Sequence, residues 1–218
     1  MSVVTVRSTS PGRPKDPEKR AAILDAAKQL FPEQGFEGTS MDAIAAAAGV
    51  SKLTVYSHFN DKESLYMEAL RERCSQQMPA QLFSVDSNAS LRSQLENIAR
   101  AFFALVTSTE ALSLHRLLSS GNTGAPKLAQ MFWEAGPKIV QSEFSNFLRE
   151  SVALGRLDVP DVDRAASQFF SLVKGDLHAR RLCGCGESFT QREIDEHLRA
   201  TVDMFERAYA TPAARTTR

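Results

Sequence analysis

Apolar side chains recur along this chain at intervals of three and four residues, and no run alternates convincingly with a period of two. That pattern predicts amphipathic helices and no sheet, an all-α fold. In the first helix Ile23, Ala27, Leu30 and Phe31 share one face, with Asp16 as N-cap, Pro17 suited to the first helical position and Gly35 as a left-handed stop. Pro32 lies inside it and removes a backbone bond, so the last turn is expected to kink or end early. Further along, Leu91, Leu95, Ile98, Phe102 and Val106 form one stripe. Leu128, Phe132, Ile139, Phe144, Phe147 and Leu148 form a second, interrupted at Gly136-Pro137, and Val162, Ala166, Phe169, Phe170, Val173 and Leu177 a third. Thr190 with Glu193 reads as a capping box for a last helix faced by Ile194, Leu198, Val202, Phe205 and Tyr209.

Between these long helices and the first, the starts crowd together. Thr39 with Asp42 predicts a capping box for a short helix through MDAIAAAA that stops at Gly49. Ser51 caps the next, KLTVYSHF, and Asn60 with Glu63 opens another only ten residues later. Three starts so close, with a turn of three or four residues around Gly49, are the pattern of a helix-turn-helix. The expected organisation is a flexible basic arm over 1–15, a three-helix domain over 16–66 with its motif at about 40–59, a longer helical domain over 67–210, and a flexible tail over 211–218.

Composition narrows the possibilities. At 218 residues, 43% hydrophobic and 24% charged, the chain can bury a substantial core, which excludes wholesale disorder. Its formal net charge is zero, so a nucleic-acid role needs a local patch rather than a global basic field. One such patch is Arg7, Arg13, Lys15, Lys19 and Arg20 against Asp16 and Glu18. Three cysteines are too few for a disulfide framework and point to a reducing compartment. With no apolar run of eighteen residues and no signal-peptide pattern at the start, a soluble cytoplasmic protein without a membrane partner is expected.

The stretch AGVSKLTVYSHFNDKESL concentrates hydrogen-bonding side chains on one short helix. Val55 and Phe59, four apart, face the core, while Lys52, Leu53, Thr54, Tyr56, Ser57 and His58 face outward. In a helix-turn-helix the second helix enters the major groove. Thr54 offers a hydroxyl and a methyl, Leu53 a partner for the thymine methyl, and Lys52, Tyr56 and His58 reach phosphate oxygens. Lys62, in the first turn of the following helix, adds a charge beside backbone amides, and Thr39 and Ser40 can donate to a phosphate likewise. The same geometry also occurs in proteins that bind no DNA, where such a segment is simply a capped surface helix.

The segment RAAILDAAKQLFPEQGFEGTSMDAIAAAAGVSKLTVYSHFNDKESLYMEAL closely resembles the DNA-binding domain of the TetR family of bacterial transcriptional regulators. Gly35, Thr39, Gly49, Tyr56, Phe59 and Lys62 all stand where that pattern has them; Pro32 departs from it, and Leu53 and Ser57 fall at positions that vary. The resemblance implies a homodimeric regulator, usually a repressor, that binds double-stranded operator DNA through Lys52, Thr54, Tyr56, His58 and Lys62. It also implies a C-terminal helical domain for ligand binding and dimerisation. GRLDVPDVDRAASQFFSLVKGDL and VDMFERAYA look like the AefR-like branch, whose last two helices would pair across a twofold axis.

A small-molecule pocket is expected among the middle helices, where Phe102, Phe103, Phe132, Trp133, Phe144, Phe147 and Phe170 gather, although such a stripe at helical spacing also serves as plain core. Phe102, Val106, Trp133, Phe147 and Phe170 are the apolar candidates, with His115, Lys174 and His178 to orient a ligand. In HARRLCGCG, Cys183 and Cys185 with His178 could instead coordinate a soft metal or form a redox switch. A glycine-rich loop between helices accounts for that segment equally, and no metal is assigned. No G-x-S-x-G, H-E-x-x-H, phosphate loop or dinucleotide glycine pattern occurs, so neither catalysis nor a cofactor is expected.

Overall fold

The computed structural model describes residues 16–119, 125–185 and 189–212; the expected basic arm and most of the tail lie outside them. The described residues form α1 (Pro17–Gly38), α2 (Met41–Ala47), α3 (Lys52–His58), α4 (Lys62–Gln77), α5 (Leu91–Val106), α6 (Thr109–Ser119), α7 (Ala125–Ala135), α8 (Pro137–Ala153), α9 (Val162–Leu182) and α10 (Gln191–Tyr209). No strand occurs among them, only an antiparallel bridge between Leu157 and Ala210. The all-α expectation holds. None of these helices is long and apolar enough to cross a membrane.

Most ends follow the caps the sequence announces. Asp16 accepts from the Glu18 amide at 3.1 Å with Pro17 first in the helix, Ser51 accepts from the Thr54 amide at 3.2 Å, and Thr190 and Glu193 close a reciprocal box. Two caps sit one residue later than the pattern suggests. Ser40, not Thr39, caps α2 by accepting from the Ala43 amide; Asp61, not Asn60, caps α4 by accepting from the Ser64 amide at 2.7 Å. Thr39 is buried instead, its hydroxyl donating to the Gly35 carbonyl at 2.8 Å and closing the end of α1. Pro32 does not break α1: the helix runs through it and bends at Gly35, whose φ of +72° is open to a residue without a Cβ.

Apolar packing forms two clusters. One joins α5, α8, α9 and α10 around the fully buried Phe144, Phe147, Phe169, Leu95 and Ile98. The other gathers α1 to α4 around Ile23, Ile44, Val55 and Leu65, and extends to Leu114 of α6 with Leu128 and Ala135 of α7. The stripes named from sequence supply most of the first and, with Val55 and Phe59, a smaller part of the second. Ile139 does not: just after Gly136-Pro137 it stands 44% exposed while Val140 and Phe144 turn inward. α4 takes part in the second cluster and then continues to the edge of the first, so the boundary expected at 66–67 falls inside one uninterrupted helix.

α9 carries a break of its own. Gly175 has φ +51° and ψ −157°, and the His197 ring of α10 sits 2.5 Å from where a Cβ would stand, its Nε2 donating to the Val173 carbonyl at 2.9 Å.

Candidate nucleic-acid interface and internal cavity

The reading head is built by burial on one side only. Val55 is fully buried and Phe59 is 5% exposed, fixing α3 against α1 and α2, with the Arg20 guanidinium 5.1 Å over the Phe59 ring. The turn before α3 is held by Gly49 at φ +65° and by the Val50 amide donating to the Ala45 carbonyl at 3.0 Å. What remains outward is the predicted set. Leu53 is 80% exposed, which no core function explains, and Tyr56 is 42% exposed. Ser57 and Ser40 are exposed, and Thr54 is half-buried with its hydroxyl 2.8 Å from that of Ser51. Lys52 pairs with Asp42 at 2.9 Å, a contact between two exposed groups that a phosphate can replace at little cost. His58 is half-buried, with a buried Nδ1 that lacks a partner.

Two predicted contacts have other employment. Thr39 is 1% exposed and turned into the end of α1, so its side chain positions the head rather than facing outward. Lys62 is half-buried, donating to the carbonyls of Phe36 at 2.8 Å and Thr39 at 3.2 Å, with its ammonium 4.4 Å above the Phe36 ring. It neutralises the carbonyl end of α1 as a C-terminal cation does. Phe36, Phe31 and Tyr66 stack beside it at 4.6 to 6.2 Å, and burial pushes the Tyr66 hydroxyl up to about 12.

In the C-terminal half, an apolar cavity of about 240 Å³ opens between α4, α5, α6 and α7. Of the predicted ligand residues, Phe102, Val106, His115, Trp133 and Lys174 line it. Phe147 and Phe170 do not. Phe147 is fully buried and stacked on Phe144, and Phe170 backs Phe102 from the core at 4.2 Å. Their spacing is the core period, which the same stripe serves first. His178 stands behind His115, ring centroids 5.6 Å apart. Gly175 breaks the helix between Lys174 and His178, so helical spacing is not what places them near His115. Burial, and after it the charge of Lys174, holds His115 below its ordinary range; burial, His115 and Lys174 together bring His178 down to about 4.

The predictions missed the wall contributed by α4: Leu70, Arg73 and Cys74. Arg73 pairs with Glu110 of α6 at 3.2 Å. Leu70, Arg73 and Glu110 also line a wider cleft of about 470 Å³ on the other side, bounded by Phe31, Gly35 and Phe36 of α1. They therefore stand between the cavity and the cleft at the end of α1. The sequence singles out neither residue, and only their tertiary meeting reveals the pair. Cys183 and Cys185 are exposed, whereas the His178 ring packs inward on His115; among the described residues no three His, Cys, Asp or Glu side chains converge as a metal site would need.

Comparison with known proteins agrees with this arrangement. The model for bacterial regulatory proteins of the tetR family matches residues 23–69, and that for the AefR-like transcriptional repressor C-terminal domain matches 93–211, more than half of the chain. The HTH-type transcriptional regulator YdeS of Bacillus subtilis is 31% identical over 124 residues, 56% of this chain and 58% of that one. The HTH-type transcriptional activator FasR of Mycolicibacterium smegmatis is 32% identical over 93 residues, 43% of this chain and 42% of that one. The matches thus span about half the length of these relatives. Among solved structures, a TetR-family regulator from Mesorhizobium loti superposes with a TM-score of 0.76 at 28% identity, covering 89% of this chain and 98% of that one. The flavonoid-responsive regulator FrrA does so with a TM-score of 0.69 at 33% identity, covering 90% and 100%. By its head, its C-terminal helices and these matches, the chain belongs to the tetR family of bacterial regulatory proteins, with an AefR-like C-terminal domain.

Proposed function

We propose that this protein is a cytoplasmic, homodimeric transcriptional repressor that leaves a near-palindromic operator when a small hydrophobic or amphipathic ligand enters the 240 Å³ cavity. The observation that carries the reading is α3 itself: a seven-residue helix anchored by Val55 and Phe59 that presents an 80% exposed leucine among hydroxyls, a tyrosine and a lysine. Ser40, Lys52, Leu53, Thr54, Tyr56, Ser57 and His58 supply the contacts to base edges and phosphates, with Thr39 and Lys62 holding the head in shape. α9 and α10 pair across the twofold, supported by the exposed Leu172 and Met204 on those helices. The two α3 helices then enter successive major grooves about 34 to 36 Å apart. Flavonoid response in FrrA is consistent with a compact aromatic-lined effector site.

Coupling runs through α4. Its N-terminal half carries Leu65 and Tyr66 of the head's core, and its C-terminal half carries Leu70, Arg73 and Cys74 of the cavity wall. α7 gives a second link, since Trp133 lines the cavity while Lys127 reaches the cap residue Asp61 at 3.4 Å. A coupling of about 1 to 3 kcal/mol suffices for release. Gel shift on the region upstream of the protein's own gene tests the reading: retardation by the wild type is expected. No retardation of any fragment at low salt would reject a DNA-binding role.

A further inference from the structure

The cavity wall carries Arg73 and Glu110, paired with each other, and a second basic set with no anion beside it among the described residues. Lys174 and His115 form that set from α9 and α6, with His178 behind His115. His178 is 7% exposed and its Nε2 is buried without a partner. The carboxylate in the lining, Glu110, is taken by Arg73, and no acid pairs with Lys174 among the described residues. A half-buried cation is ordinarily matched by an acid, and apart from Ser108, Cys74 and the paired Arg73 and Glu110 the rest of the wall is aromatic and aliphatic.

Taking the cavity as the effector site, we propose that the effector is a compact amphipathic acid, an aryl or medium-chain acyl carboxylate, with its anionic oxygens against Lys174 and His115. Its apolar body lies among Phe102, Val106, Phe132 and Trp133. Compactness follows from the volume, which at about 240 Å³ falls under the lower end of drug-sized pockets, roughly 300 Å³. A neutral molecule of the same shape would leave Lys174 and His115 unmatched, and a polar site rejects a partner that cannot pair with it more strongly than an apolar one rejects a missing methylene.

The arrangement also gives the recognition a pH dependence. Burial first, and neighbouring charge after it, from Lys174 on His115 and from His115 and Lys174 on His178, hold both imidazoles below their ordinary range, and a carboxylate beside them raises their affinity for protons. Of the other facing groups, Arg73 and Glu110 are paired with each other at 3.2 Å, and burial pushes the Cys74 thiol up. The acid itself is ionised above about pH 5.5. Affinity for the carboxylate therefore rises as pH falls from 8 to 6.

Calorimetry on the full-length protein with two matched pairs, cinnamate against cinnamamide and octanoate against octanamide, tests this. At least one acid is expected to bind ten-fold or more tightly than its amide, and more tightly at pH 6 than at pH 8. Lys174→Arg should keep the preference and Lys174→Met should lose it. Equal binding of acid and amide, or no binding by any of the four, overturns the acid class. Amides that bind and release the operator would overturn it too and leave the effector site standing. Acids that bind with the Lys174-dependent preference yet leave the operator complex intact would uphold this site and remove its role as effector site.

Discussion

Leu53 and Lys62 lie nine residues apart and divide the work of the head between them. Leu53 is 80% exposed and Tyr56 42%, so Leu53→Ala should weaken operator binding by about 1 to 3 kcal/mol with the melting temperature unchanged, and Tyr56→Ala should weaken it as much with only a small loss of stability. Lys62→Ala strips two carbonyls of their donor and should lower stability by about 1 to 3 kcal/mol, with operator affinity falling in parallel. Its salt slope should stay at the wild-type value, whereas a lost phosphate contact would make it shallower. The sequence reads Lys62 as a phosphate contact and the structure adds its bonds to the Phe36 and Thr39 carbonyls, because a charge in the first turn of a helix looks alike whether it faces a phosphate or a neighbour's carbonyls. His178 yields a different kind of test. Its folded-state value of about 4 lies below the ordinary 6.5, so the unfolded chain binds the proton more readily. The stability it contributes is full above about pH 6.5 and is lost as pH falls toward 4, amounting to at most about 3 kcal/mol. Urea unfolding of His178→Leu against wild type across that range should show the mutant's curve flatter.

Helices were legible where a periodic face and a cap agree, as in α5 and α10, and less so where neighbours decide. Thr39 and Ser40 are chemically equivalent as caps, and only the open carbonyl of Gly35 selects Thr39 for the inward role. In α1 the sequence offered both Pro32 and Gly35 as breaks. A proline removes a single donor, which a helix near its end tolerates, while a positive φ redirects the chain. The break in α9 left no comparable sign, since Gly175 lies within an otherwise regular stripe and its cause is an imidazole from another helix. Gly175→Ala must put a methyl into that ring and hold a strained φ. A loss of about 1 to 3 kcal/mol in thermal or urea unfolding is expected, of which adding His197→Ala should recover only the steric part.

For the whole molecule, pattern predicted the all-α class and the placing of the reading head, while the cavity could be only half foreseen. Six of its lining residues, Phe102, Val106, His115, Phe132, Trp133 and Lys174, were named from sequence, but Arg73, Cys74 and Glu110 enter through the meeting of α4 with α6, which no periodicity announces. The dimer is the most direct test at this scale: Leu172→Asp combined with Met204→Asp should shift the protein to monomer in sedimentation and reduce operator binding without unfolding the protomer. α4, shared by the head's core and the cavity wall, also has mechanical leverage. Its 16 residues make a rod of roughly 24 Å, so a tilt of about 5° at the cavity end displaces the Asp61 end by on the order of 2 Å. A hydrogen bond to a base edge tolerates a few tenths of an ångström. In the proposed dimer the displacements would add across the twofold axis, so that a compact ligand would act on the spacing of two reading heads about 34 to 36 Å apart.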